Sequence, residues 1–193
     1  QLWRRLMSPL LLGLVLLIME TSVFAQTPEP STPVRVTHNT VKIDGVDVFY
    51  REAGPKDAPV LLLLHGFPTS SHMYRNLIPQ LADKYRVIAP DYPGFGQSGM
   101  PDRSKFVYTF DNYAQVVDKL IHQLGVSRYA LYVMDYGAPV GFRLASKYPE
   151  RVTALIVQNG NAYNEGLEQF WDPIRAYWST GGSTEREAIR WLT

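Results

Sequence analysis

The run from Tyr129 to Met134, followed by Asp135-Tyr136-Gly137-Ala138-Pro139, constrains this chain more than any other stretch. An unbroken apolar run rich in β-branched and aromatic residues predicts a buried strand. Just beyond it, Val140, Phe142, Leu144, Ala145 and Tyr148 recur at helical spacing until Pro149 ends the pattern. Between strand and helix stands one carboxylate, Asp135, followed by small residues. A strand that turns sharply into a helix crowds its two backbones, and it holds the side chain at the turn exposed near the helix N-terminus. That is the geometry of a nucleophile elbow, here carrying Asp in place of the usual Ser. The plainer alternative makes Asp135 an N-cap ahead of a proline at the first helical position.

The rest of the chain supplies a frame for that turn. Val41 to Ile43, Asp44-Gly45 and Val46 to Arg51 predict a tight hairpin, with Val46, Val48 and Tyr50 alternating with Asp47 and Phe49. Val60 to Leu64 predicts a strand buried on both faces, as in a parallel sheet. A helix over 72–82, a strand over 85–89, a glycine-rich loop over 91–99, an amphipathic helix over 110–124 stopped by Gly125, and a buried strand over 152–158 follow. This alternation predicts an α/β fold, a doubly wound, mostly parallel sheet fed by the hairpin. Ligands in such sheets bind at the carboxyl ends of the strands, where His65, Asp91, Asp135 and Asn159 fall. Beyond Asn161 the pattern changes. Phe170, Trp171, Ile174, Tyr177 and Trp178 predict an aromatic-rich helix, and Thr184-Glu185-Arg186-Glu187 a capping box opening another. The sequence stops at Thr193 with no closing strand.

At 193 residues and 46% hydrophobic content, one folded domain is expected. There is no Cys, which excludes disulfides and a thiolate nucleophile, and a net charge of +1 without a basic patch gives no sign of a nucleic-acid partner. Arg4 and Arg5, the apolar run Leu10–Met19 and the small-x-small site Val23-Phe24-Ala25 predict a signal peptide over 1–25, then a Pro/Thr/Ser linker over 26–34. Export, periplasmic or secreted, is therefore expected, with no stable membrane span after cleavage. Gly94-x-Gly96 reads as a turn rather than a dinucleotide fingerprint. Asp91 reads as a loop-fixing residue, and no residue cluster has metal-ligand spacing.

Four pieces together resemble the α/β-hydrolase fold in its epoxide hydrolase and haloalkane dehalogenase branch: His65-Gly66-Phe67-Pro68, Asp91 to Ser98, Val133 to Gly137, and the strand at Val152. The resemblance covers about 35–193. It implies a core over 35–160 and the start of a helical cap over 161–193. It also implies Asp135 as nucleophile, the Phe67 and Tyr136 backbone N–H groups as an oxyanion hole, and His65, Gly66 and a cis Pro68 as the support of that loop. The substrate would be a small apolar organic molecule, with no cofactor. Tyr163, Trp171 and Tyr177 are the cap residues that could line its site. A carboxylate suits displacement at an sp³ carbon, where it forms an alkyl ester; hydrolysis of that ester passes through an oxyanion that backbone N–H groups can hold.

Two departures from the family pattern sharpen these expectations. Dehalogenases of this branch hold the leaving halide with a Trp after the nucleophile and often an Asn in the His-Gly-x-Pro piece; here those places hold Tyr136 and Phe67, which favours an epoxide. The family's general base is a late His. His38, His65, His72 and His122 are all elsewhere, and Gln158, Asn159 and Asn161 offer no orienting acid after the sixth strand. The expectation is thus an incomplete chain whose base and acid lie beyond Thr193, with no turnover and an exposed sheet edge. The alternatives are a haloalkane dehalogenase-like hydrolase and a non-catalytic, hydrolase-like protein that binds a small molecule.

Overall fold

A computed structural model describes residues 34–192; the signal peptide and most of the linker predicted above lie outside the described residues. Six strands, β1 (Thr37–Ile43), β2 (Val46–Ala53), β3 (Val60–Leu64), β4 (Arg86–Pro90), β5 (Tyr129–Met134) and β6 (Val152–Gln158), form one sheet in the order β1-β2-β4-β3-β5-β6. The first two pairings are antiparallel and the last three parallel. The hairpin turns at Asp44 and Gly45, both with positive φ, which matches the right-handed twist of the flanking strands. Strand β1 starts at Thr37, earlier than the sequence pattern showed, so His38 lies within it.

The sheet separates two apolar layers. On one face Leu62, Leu64, Leu131 and Val133 pack with residues of α2 (Phe110–Gln123) and α3 (Gly137–Lys147). On the other, Leu61, Leu63, Val87 and Ala89 pack with Tyr74 and with Ile78 of α1 (Leu77–Leu81). The helix expected over 72–82 is two pieces, a 3-10 turn at Ser71–Tyr74 and α1. Pro79 has no N–H to return to the carbonyl of Arg75, so an unbroken α-helix cannot run through. The helix from Phe110 forms as read, with the Thr109 hydroxyl capping the N–H of Asn112 at 3.2 Å.

Three details differ from the pattern read in the sequence. Val48, Phe49 and Tyr50 are all buried, because the 91–99 loop lies along β2: Phe49 N–H donates to Ser98 Oγ at 2.9 Å and Asp91 N–H to Phe49 O at 2.9 Å. The capping box at Thr184 does not form. Gly181 ends α4 (Asp172–Thr180) in the left-handed conformation, so α5 (Ser183–Ala188) starts two residues sooner, with Gly182 as its cap. Strand β6 pairs with β5 from Val152 to Gln158 but is not buried. Leu155, Ile156 and Val157 are 44%, 46% and 46% exposed, since among the described residues no strand takes its outer edge. Beside it, an apolar groove of about 600 Å³ between α1 and the sheet is lined by Leu77, Leu81, Tyr132, Ala154 and Ile156.

One buried ion pair was not legible in the sequence. Arg86 Nε donates to Glu52 Oε1 at 2.7 Å, both side chains being nearly inaccessible, and Lys56 Nζ reaches Glu52 Oε2 at 2.6 Å. Burial alone would raise the Glu52 carboxyl, but the hydrogen bonds and charges of Lys56 and Arg86 outweigh it and hold the group below its usual range.

Candidate active site

The turn after β5 places Asp135 at a φ of 50°, and α3 begins at Gly137 with Tyr136 as its N-cap. Asp135 is therefore not the helix cap, and Pro139 is the third helical residue rather than the first. One carboxylate oxygen, Oδ1, accepts from the N–H of Tyr136 at 2.6 Å and from the N–H of Phe67 at 2.7 Å. The second of these comes from the loop after β3, so the carboxylate joins two strand ends that the chain separates by 68 positions. No described group donates to Oδ2.

The approach is close enough to require glycine. A Cβ on Gly66 would stand 2.7 Å from Asp135 Oδ1, and one on Gly137 would collide with the carbonyl of Leu64. The Phe67–Pro68 peptide is cis. His65 is fully buried beneath this loop. Its Nδ1–H donates to Gly66 O at 3.0 Å and its Nε2 accepts from Tyr92 N–H at 3.3 Å, which assigns a neutral ring with the proton on Nδ1. Burial lowers its tendency to take a second proton. With both nitrogens engaged, His65 supports the loop and is not available as a base.

Asp91, buried at the end of β4, fixes the neighbouring backbone. Its Oδ1 accepts from Ser71 N–H at 2.7 Å and its Oδ2 from Gln97 N–H at 2.8 Å. The role read from sequence is thus visible, although the two residues it holds lie on different loops. Aromatic rings ring the mouth of the turn: Tyr136 packs 4.9 Å from Phe110, 5.5 Å from Phe67 and 6.3 Å from Phe95. Burial, and then the charge of Asp135, raise the Tyr136 phenol above its ordinary value, so it stays protonated at neutral pH. The side chain of Phe67 is 39% exposed. This apolar wall was missed in the sequence because Phe95 comes from the 91–99 loop and Phe110 from the start of α2.

The cap candidates are not brought to the turn. Tyr163 is exposed, Trp171 and Tyr177 are half-buried in the α4 region, and no described contact joins any of them to Asp135. A cavity of about 950 Å³ lies under the 94–108 loop, walled by Phe95, Phe106, Tyr108 and Tyr113, and does not include Asp135. Among the described residues no group of three His, Asp or Glu could hold a metal ion, and no helix is long and apolar enough to cross a membrane.

Compared with known protein families, residues 59–190 match the alpha/beta hydrolase fold. The chain belongs to this family. An uncharacterized hydrolase of Saccharomyces cerevisiae is 53% identical over 138 residues, covering 71% of this chain and 47% of that protein. A haloalkane dehalogenase of Bradyrhizobium diazoefficiens is 41% identical over 125 residues, covering 65% of this chain and 39% of that protein. The crystal structure of an epoxide hydrolase from Vigna radiata superimposes with a TM-score of 0.63 at 31% identity, covering 76% of this chain and 45% of the other. The chain thus spans less than half the length of each of these alpha/beta hydrolases.

Proposed function

We propose that Asp135 is the nucleophile of a hydrolase that acts at a saturated carbon, with an epoxide as the substrate class. The observation that carries this is the division of labour within the carboxylate. Oδ1 is held by two backbone N–H groups, and Oδ2 has no described donor. Oδ2 attacks a ring carbon, a carbon–oxygen bond of the epoxide breaks, and the released alkoxide takes a proton to become an alcohol. Oδ1 is then the carbonyl oxygen of the new ester and already lies between Phe67 N–H and Tyr136 N–H. When water adds to Cγ, the negative charge develops on Oδ1, where the two donors stand without rearrangement. Collapse of that intermediate releases a diol and restores the carboxylate.

Water addition needs a base, and none of the described imidazoles serves: both His65 nitrogens are engaged, His38 and His72 meet Arg51, and His122 is exposed in the last turn of α2, with no described contact to Asp135. The chain alone should therefore stop at the ester. The choice of an epoxide over a halide rests on Phe67, which has no side-chain donor, and on the aromatic packing around Tyr136. The dehalogenase relatives keep the second reading alive, and a comparison of leaving groups decides between them. After incubation with an aryl epoxide or with a 1-bromoalkane, intact-mass spectrometry should show one adduct from the epoxide and little from the bromide. A faster adduct from the bromide would transfer the assignment to dehalogenation.

A further inference from the structure

Among the described residues, the Arg51 guanidinium has no carboxylate partner. Its Nε donates to Ser71 Oγ at 3.2 Å, Nη1 meets His38 Nε2 at 2.6 Å and Nη2 meets His72 Nδ1 at 3.4 Å. The three side chains come from three elements: β1 and β2, on which His38 and Arg51 face each other, and the 3-10 turn at Ser71–Tyr74. Phe49 forms the floor, with the guanidinium 5.6 Å above its ring and His38 stacked at 5.9 Å. Both imidazoles are exposed.

We propose that Arg51, His38 and His72 form a binding site for a small tetrahedral dianion of the sulfate or phosphate type, which fills as the imidazoles take up protons. An imidazole can accept from Arg51 only while that nitrogen is unprotonated. Once protonated, His38 and His72 become donors, and three cations face one another over an apolar floor. A dianion placed among them receives hydrogen bonds from all three, with the guanidinium fork suited to two oxygens at once. Two of the five guanidinium N–H groups have no described acceptor, so the site has donors to spare even before protonation.

The surrounding charges favour this occupant. On the 3-10 turn, Arg75 Nη1 donates to His72 O at 3.3 Å and adds a further cation. Along β1 the neighbour of His38 on its face is Thr40, and β4 presents Ala89 opposite Arg51, both uncharged. Glu52, next along β2, is held on the opposite face by Arg86 and Lys56. Asp91 lies behind Ser71 with both oxygens occupied by backbone N–H groups.

Sulfate is the first probe, because its charge stays fixed between about pH 5.5 and about pH 8, across the range where imidazoles ordinarily titrate. The ring resonances of His38 and His72 in the full chain should shift saturably on sulfate titration near the lower pH, with affinity several-fold weaker near the higher one, where fewer donors face the anion. Arg51→Gln should abolish saturation. A paired His38→Gln and His72→Gln variant, which leaves the guanidinium in place and is followed by the Arg51 Nε–H resonance, should lose the pH dependence. Binding of glycerol phosphate as well as sulfate would assign the site to phosphomonoesters, and sulfate alone to a free inorganic ion; either supports the proposal. Equal affinity at both pH values, or an unsaturable drift shared by wild type and variants, would overturn it.

Discussion

At the residue scale, Asp135 and Gly66 depend on each other. The left-handed backbone at Asp135 aims its carboxylate at the loop after β3, and the absent Cβ at Gly66 lets the two approach. Gly66→Ala would place a methyl group against Oδ1 and push the loop, with its Phe67 N–H, off the carboxylate. Misplacing such a donor costs about a hundredfold in rate, so ester formation with an epoxide should slow by about that factor while the circular-dichroism spectrum stays native. Unchanged alkylation in Gly66→Ala would remove the close approach from the account. His65 makes a second prediction at this scale. Its folded-state proton affinity is lowered by burial, so its contribution is complete above the ordinary value of 6.5 and declines as pH falls below it. Thermal stability should begin to fall just below that pH, and His65→Gln should flatten this segment of the profile.

At the element scale, the strands β3, β5 and β6 were legible to the residue, because their apolar runs are bounded by turns and Gly or Pro. So was the Asp44-Gly45 hairpin, whose backbone conformation few residue pairs adopt. What did not show was any feature that depends on partners distant in the chain. Residue alternation could not tell that Phe49 would be covered by the 91–99 loop, nor that Glu52 and Arg86 would meet inside the sheet. That pair ties β2 to β4 and yields a test. Glu52→Gln leaves Arg86 charged and buried beside a neutral amide, which should cost about 3 kcal/mol, read as a lower urea midpoint at neutral pH. Because the Glu52 carboxyl is held below its ordinary value of 4.5, its contribution is present above that pH and is lost as pH falls through its folded-state value, so wild type and variant should converge in acid.

At the scale of the whole molecule, β1 and β6 are the two edges of the sheet, and among the described residues no strand pairs with the outer side of either. Burial of β6 was expected from its composition, yet a strand is buried only when neighbours cover it, and here Leu155, Ile156 and Val157 face outward beside an apolar groove. An uncharged edge of this kind pairs with other chains. Ile156→Lys should reduce light scattering at high protein concentration and change the unfolding free energy by no more than about 0.5 kcal/mol; undiminished aggregation would point to another surface. Asp135 and the two N–H groups that hold it, the nucleophile and oxyanion donors proposed above, belong to this same sheet, since β3 and β5 are adjacent and deliver them to one rim. In the proposed reaction the two steps are thereby divided: the described residues offer a group to form the ester and none placed to hydrolyse it. The most direct test is peptide-level mass spectrometry after reaction with an epoxide. One ester, of the mass of the epoxide, should map to Asp135, and Asp135→Asn should carry none. An adduct on any other residue, or the same adduct in Asp135→Asn, would contradict the assignment of Asp135 as the nucleophile.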